Sequence, residues 1–72
     1  MIDLTKVGYL SMPKNGPTVR VRISSMITTM ANREKRPRNE ITNEEIHAYL
    51  KTWCQKNGLA KNYELWQAEL TN

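Results

Sequence analysis

The chain has one cysteine, one histidine and no phenylalanine among its 72 residues. The single cysteine, Cys54, excludes an internal disulfide and favours a reducing compartment. One histidine and one cysteine do not fill a four-ligand nitrogen and sulfur site, so no metal is expected. No apolar run is long enough to span a membrane, and the start lacks the apolar region of a signal peptide. We therefore expect a cytoplasmic protein.

The length limits how much surface the chain buries on folding. A domain of 72 residues is marginally stable without a disulfide, a metal or a partner. We expect a single domain over residues 1–72. A homodimer is the stabiliser that remains once a disulfide and a metal are excluded.

Residues that carry catalytic chemistry are few. His47 has no carboxylate at i+3 or i+4 to orient it, so a half-exposed helix histidine is preferred to a general base or a ligand. Cys54 falls on an apolar helical stripe, where a packed thiol is expected rather than a nucleophile. The three glycines are isolated and form no phosphate-binding loop. The sequence predicts that the protein is not an enzyme and has no cofactor.

Positive charge is concentrated in the middle of the chain. The formal net charge is +4, and the isoelectric point is near 9.5. Residues 18–39 contain six lysines and arginines but only one acidic residue, Glu34, whereas residues 40–72 carry a net charge of −2. A basic segment of this kind suits nucleic acid or an acidic protein as a partner.

An alternating segment over residues 18–23 carries two of these arginines. Its pattern predicts a strand with one β-branched apolar face and one outer face that carries Thr18, Arg20 and Arg22. A strand-like run over residues 7–12 and turn residues at 13–16 predict a hairpin over 7–23, with Tyr9 opposite Arg20. In this register Leu10 faces Val19. The alternative is that the strand pairs with a second chain in a dimer ribbon.

The rest of the sequence predicts helices over about 25–36, 42–57 and 59–70. Ser24 or Ser25 is available as the N-cap of the first helix. Thr42 and Glu45 form a capping box for the second helix, and Gly58 ends it. The methionine and aromatic side chains at helical spacing are either core or a protein-binding surface, and core is preferred; they are Met26, Met30, Trp53, Tyr63 and Trp66. The other members of the apolar stripes are Ile27, Ala31, Ile46, Tyr49, Leu50, Cys54, Leu59 and Leu70. The fold class is therefore α+β, with an N-terminal hairpin or ribbon strand followed by two to three short helices.

The connector between the first two helices is strongly basic. It is either a solvated connector or a patch that contacts phosphates, and the arginines of the strand favour the patch. Its candidate phosphate-binding residues are Arg33, Lys35, Arg36 and Arg38.

The order of basic strand, helix, turn and capped helix resembles the ribbon-helix-helix family of DNA-binding repressors, the Arc/MetJ/CopG group, over residues 18–54. The resemblance implies that two chains form a ribbon in the major groove of duplex DNA, with Thr18, Arg20 and Arg22 facing the DNA. It also implies that the backbone at Thr42 and Asn43 holds a phosphate. The chain departs from the family in its proline-containing turn and in the upstream strand, which competes for the ribbon edge.

These observations predict a small basic regulatory protein that binds nucleic acid, of the DNA-binding transcriptional regulator type. Its expected partner is duplex DNA. The alternative is a small inhibitor or adaptor, of the phage- or plasmid-encoded kind, that binds an acidic host protein. Neither hypothesis involves a membrane.

Overall fold

The computed structural model describes residues 2–12 and 19–71, so the predicted turn and Thr18 lie outside the described residues. An antiparallel hairpin of strands β1 (Tyr9–Met12) and β2 (Val19–Arg22) is followed by helices α1 (Ile23–Glu34), α2 (Asn43–Lys56) and α3 (Ala60–Thr71). Short 3₁₀ turns lie at Leu4–Lys6 and Arg38–Glu40. The predicted α+β class is confirmed. No helix in the described ranges is long and apolar enough to cross a membrane.

The hairpin pairs in a register that differs by two residues from the predicted one. Leu10 lies opposite Val21 and not opposite Val19, and Tyr9 lies opposite Arg22 and not opposite Arg20. The observed register continues past the strands at the end away from the turn, where the Gly8 carbonyl accepts a hydrogen bond from the amide of Ile23 at 2.9 Å. A shift of two residues keeps every side chain on its face, because side chains alternate with a period of two.

The start of α1 is capped by the hairpin and not by a serine. Its N-cap residue is Arg22, which makes no side-chain capping bond. The Gly8 carbonyl instead accepts from the first two helical amides, those of Ile23 and Ser24. The predicted serine cap is therefore wrong, because the preceding strand supplies an acceptor for the amides that a serine side chain would satisfy.

The predicted apolar stripes form one buried core. Val21 from the hairpin belongs to the same core cluster as residues of all three helices. Tyr49, Trp53 and Leu59 are only partly buried at the margin of this core. The buried members from the predicted stripes are Met26, Ile27, Met30, Ala31, Ile46, Leu50, Cys54, Tyr63, Trp66 and Leu70.

The ends of α2 follow the predicted signals. The Thr42 hydroxyl oxygen accepts a hydrogen bond from the Glu45 amide at 3.2 Å, which satisfies an amide that the helix leaves open. At the other end Gly58 has φ of +71°. The Leu59 amide donates to the Cys54 carbonyl at 2.8 Å, and this closes the helix as expected for a left-handed C′ glycine.

The N-terminal segment is held against the helices by three hydrogen bonds. The Ile2 amide donates to the Leu70 carbonyl at 2.8 Å, and the Leu4 amide donates to Asn43 Oδ1 at 2.8 Å. His47 Nε2 lies 2.8 Å from the Ile2 carbonyl oxygen. His47 is 7% exposed, so the predicted half-exposed position is wrong. Its burial depends on a segment 45 residues away, which local helical periodicity does not reveal.

Candidate nucleic-acid interface

The outer surface of the hairpin is a basic face, which we call the arginine face; it comprises Tyr9, Ser11, Arg20 and Arg22. All four side chains are exposed, as the alternation predicts. The Arg20 Cζ atom lies 4.0 Å from the centroid of the Tyr9 ring, and the Arg22 Cζ atom lies 5.9 Å from it. Arg20 is the diagonal neighbour of Tyr9 across the strands, and a long side chain spans that distance. The ring therefore holds two guanidinium groups together despite their like charge.

A polar groove of about 390 Å³ adjoins this face where β2 runs into α1. Arg22 belongs to both features. Arg38 reaches the groove from the connector, and its Nη1 donates to the Ser24 carbonyl at 3.0 Å and to the Thr28 hydroxyl. We call this feature the hydroxyl groove; it is lined by Arg22, Ser24, Ser25, Thr28, Thr29 and Arg38.

The arginines around the hydroxyl groove keep their charge available. No carboxylate of the described residues forms an ion pair with Arg20, Arg22 or Arg38. The groove also lies at the N-terminal end of α1, where the helix dipole adds positive potential. Guanidinium groups that converge in this way provide donors that a phosphate oxygen accepts. The Thr28 and Thr29 hydroxyls donate within α1, to the carbonyls of Ser24 and Ser25.

The predicted basic cluster at residues 33–38 is divided between different parts of the surface. Arg36 forms a two-pronged ion pair with Glu45, with distances of 2.7 and 3.2 Å. The hydrogen bond from Arg36 lowers the pKa of the Glu45 carboxyl, and the same bond raises the pKa of Arg36. Lys35 is exposed in a left-handed conformation at the end of α1. Arg33 lies on a different groove, so of the four residues only Arg38 joins the arginines of the hairpin.

Thr42 and Asn43 have structural partners at the start of α2. Thr42 caps the helix, and the Asn43 side chain holds the Leu4 amide. The carboxylates of Glu44 and Glu45 also lie in the first turn, so an anion at these amides would meet negative charge. The backbone phosphate contact at Thr42 and Asn43 stays a prediction, and the neighbouring carboxylates oppose it electrostatically.

A second groove, of about 400 Å³, runs between α1 and α2. Met30, Tyr49 and Trp53 supply its apolar lining. Its charged residues are Arg33, Glu34, Glu45 and Lys56. We call it the α1–α2 groove. Both carboxylates pair with Arg36, so Arg33 and Lys56 are the cations left for a partner.

The remaining reactive groups are buried or isolated. Cys54 is fully buried, and burial raises the pKa of its thiol. In the described part of the chain, no three His, Cys, Asp or Glu side chains come close enough to hold a metal ion.

Comparison with known proteins assigns no family, because no family model, curated protein or solved structure matches the chain.

Sequence reasoning missed two parts of the site. The alternation placed Tyr9 on the same face as the arginines, but it gave no reason to expect stacking with Arg20. The sequence predicts Ser24 or Ser25 only as an N-cap, and it assigns no role to Thr28 and Thr29. Their spacing of four residues, Ser24 with Thr28 and Ser25 with Thr29, is the signal that puts them on one side of the helix.

Proposed function

We propose that this protein is a small regulator that binds nucleic acid through the arginine face and the hydroxyl groove. The observation that supports the proposal is the convergence of three guanidinium groups, those of Arg20, Arg22 and Arg38. None of them pairs with a carboxylate within the described residues. Phosphate contacts of this kind bind with little dependence on base sequence and weaken steeply with salt.

The number of phosphate contacts at the site determines how strongly binding depends on salt concentration. Three phosphate contacts predict that the logarithm of the association constant falls with the logarithm of salt concentration at a slope of about −2.7 for duplex DNA. The slope for single strands is about −2 for the same three contacts. Arg33 and Lys35 lie apart from the three arginines and add contacts only if a strand extends around α1.

Fluorescence anisotropy titrations with labelled DNA at several salt concentrations test the proposal. Replacing Arg20 and Arg22 together by alanine should weaken binding and reduce the slope by about 2. The matched control replaces Lys51 and Lys61, which are exposed on α2 and α3, by alanine. This change removes the same amount of positive charge. This control should stay close to the wild type. The proposal fails if the wild type does not bind at low salt, or if the two double variants bind equally.

We also propose that the regulator forms a dimer. β2 pairs with β1 of its own chain, and its outer edge has no strand partner among the described residues. A ribbon built from two chains would therefore join two hairpins into a four-stranded sheet. Sedimentation equilibrium with and without duplex DNA tests this arrangement. A monomer under both conditions would exclude the symmetric ribbon. Phosphate binding by a single hairpin would still be possible.

A second candidate function is supported by the α1–α2 groove. Its apolar lining beside Arg33 and Lys56 suits an acidic host protein that inserts an apolar side chain. A pull-down with nuclease treatment, using the wild type and Trp53→Ala, tests this candidate. If this candidate is correct, the wild type captures a partner protein even after nuclease treatment. The Arg20/Arg22 double variant should still capture this partner, and Trp53→Ala should not. Retention that disappears with nuclease would count against it.

A further inference from the structure

Tyr9 provides a flat surface in the middle of the arginine face. Tyr9 is 49% exposed. The Arg20 guanidinium lies over the Tyr9 ring, with 4.0 Å between its Cζ atom and the ring centroid. Aromatic rings and guanidinium planes both stack on nucleic-acid bases.

Whether the bases of a nucleic acid are paired determines whether they can stack on such a surface. In a duplex each base is covered on both faces by its neighbours, so a protein reaches only the base edges in the grooves. An unpaired strand exposes base faces, and proteins bind them with aromatic side chains beside a basic groove. The Arg20 guanidinium lies over the Tyr9 ring, so this arginine does not project outward for edge contacts in a duplex groove.

The hydroxyl groove lies next to this stacking surface. Arg22 connects the two, because it lines the groove and its Cζ atom lies 5.9 Å from the Tyr9 ring centroid. Arg38 also lines the groove, and only its Nη1 donates to the protein in the described structure. A base stacked at Tyr9 therefore has Arg22 beside it, and Arg22 shares the groove with Arg38.

We infer that the site binds an unpaired nucleic-acid strand, with one base stacked against the Tyr9–Arg20 pair and the adjacent phosphate in the hydroxyl groove. This inference rests on the proposed function and names the class of nucleic acid that the same site binds. It departs from the duplex DNA that the sequence predicts. The face offers few groups for base edges, so binding has little base specificity.

The experiment compares labelled oligothymidine and oligouridine with a DNA duplex of equal length at one salt concentration. The protein variants are Tyr9→Thr, which suits a strand but removes the ring, and Tyr9→Phe, which keeps the ring. A stacked base predicts that Tyr9→Thr weakens binding of an unpaired strand about tenfold, within the range measured for base stacking on aromatic residues. Tyr9→Phe should bind as the wild type does.

The salt slope separates stacking from charge. Tyr9→Thr should leave the slope unchanged, whereas Arg22→Ala with Arg38→Ala should reduce it by about 1.4 on a single strand. Circular dichroism confirms that each variant is folded before it is titrated. Equal or tighter binding of the duplex by the wild type, or unchanged strand binding by Tyr9→Thr, overturns the inference and leaves phosphate binding intact. Failure of the wild type to bind any of the probes overturns the proposed function as well.

Discussion

Replacing Asn43 by alanine tests whether its side chain stabilises the fold. The Asn43 side chain accepts a hydrogen bond at 2.8 Å from the amide of Leu4, whose side chain is fully buried. This bond crosses 39 residues of sequence and attaches the N-terminal segment to α2. Alanine removes the acceptor and leaves the amide without its partner, so the variant should be less stable than the wild type.

The size of the effect follows from the cost of the lost bond. A buried donor left without a partner costs about 1–3 kcal/mol, and the higher helix propensity of alanine returns about 0.5 kcal/mol. We expect the free energy of unfolding to fall by about 1–2 kcal/mol. For a domain of this size each kcal/mol lowers Tm by about 4–8 °C. Urea unfolding followed by tryptophan fluorescence and far-ultraviolet circular dichroism measures the change.

Asn43→Asp is the matched control for this prediction. Aspartate keeps the acceptor oxygen, and its charge at the first position of α2 interacts favourably with the helix dipole. Asn43→Asp should therefore stay near wild-type stability, and hydrogen exchange at the Leu4 amide should be accelerated only in Asn43→Ala. Equal destabilisation by the two variants, or none by alanine, would refute the reasoning.

Three further predictions concern the helix ends, the ion pair and the buried thiol. Gly58→Ala should lower the free energy of unfolding by about 1–2 kcal/mol, because alanine is strained in the left-handed region, whereas Gly8→Ala should have little effect since the added methyl meets no atom. The pKa of Glu45 is lowered below its ordinary value of 4.5, so its stabilisation is present above that pH and is lost as pH falls through the folded-state pKa. Glu45→Gln should therefore flatten the acid limb of the stability profile measured by urea titration. Cys54 should resist a thiol reagent in buffer and react at once in denaturant, because the native thiol is buried and burial raises its pKa; rapid reaction in buffer would contradict this.

Local signals in the sequence predicted the features that depend on neighbouring residues. The capping box at Thr42 and the terminating Gly58 involve atoms only a few residues apart. The face of the hairpin was also predictable, because the shift of two residues in register does not exchange its two faces. The sequence therefore places Tyr9, Arg20 and Arg22 on one face of the hairpin, even though the predicted pairing across the strands was wrong.

The burial of His47 and the contact of Asn43, which sequence reasoning missed, depend on distant contacts. His47 is buried because the N-terminal segment covers it and places the Ile2 carbonyl at its ring. Asn43 is engaged by Leu4 of the same segment. No helical or strand periodicity contains information about a partner some 40 residues away, so each residue was assigned from its local pattern alone.

Arg36 and Arg38 explain why a count of basic residues overstates the binding surface. The two residues are neighbours in sequence, but the extended Pro37 between them, with φ of −62° and ψ of 147°, turns the chain. Arg36 reaches the first turn of α2, where Glu45 neutralises it, and Arg38 reaches the first turn of α1, where no described carboxylate pairs with it. An arginine displaces a counterion from the nucleic acid when it neutralises a phosphate. An arginine that is paired with a carboxylate does this only after the ion pair is broken. The strength of binding should therefore follow the three arginines with free donors and not the six basic residues of the central segment. Arg38→Ala should weaken binding of a phosphate backbone more than Arg36→Ala, although both remove one positive charge from nearly the same place in the sequence.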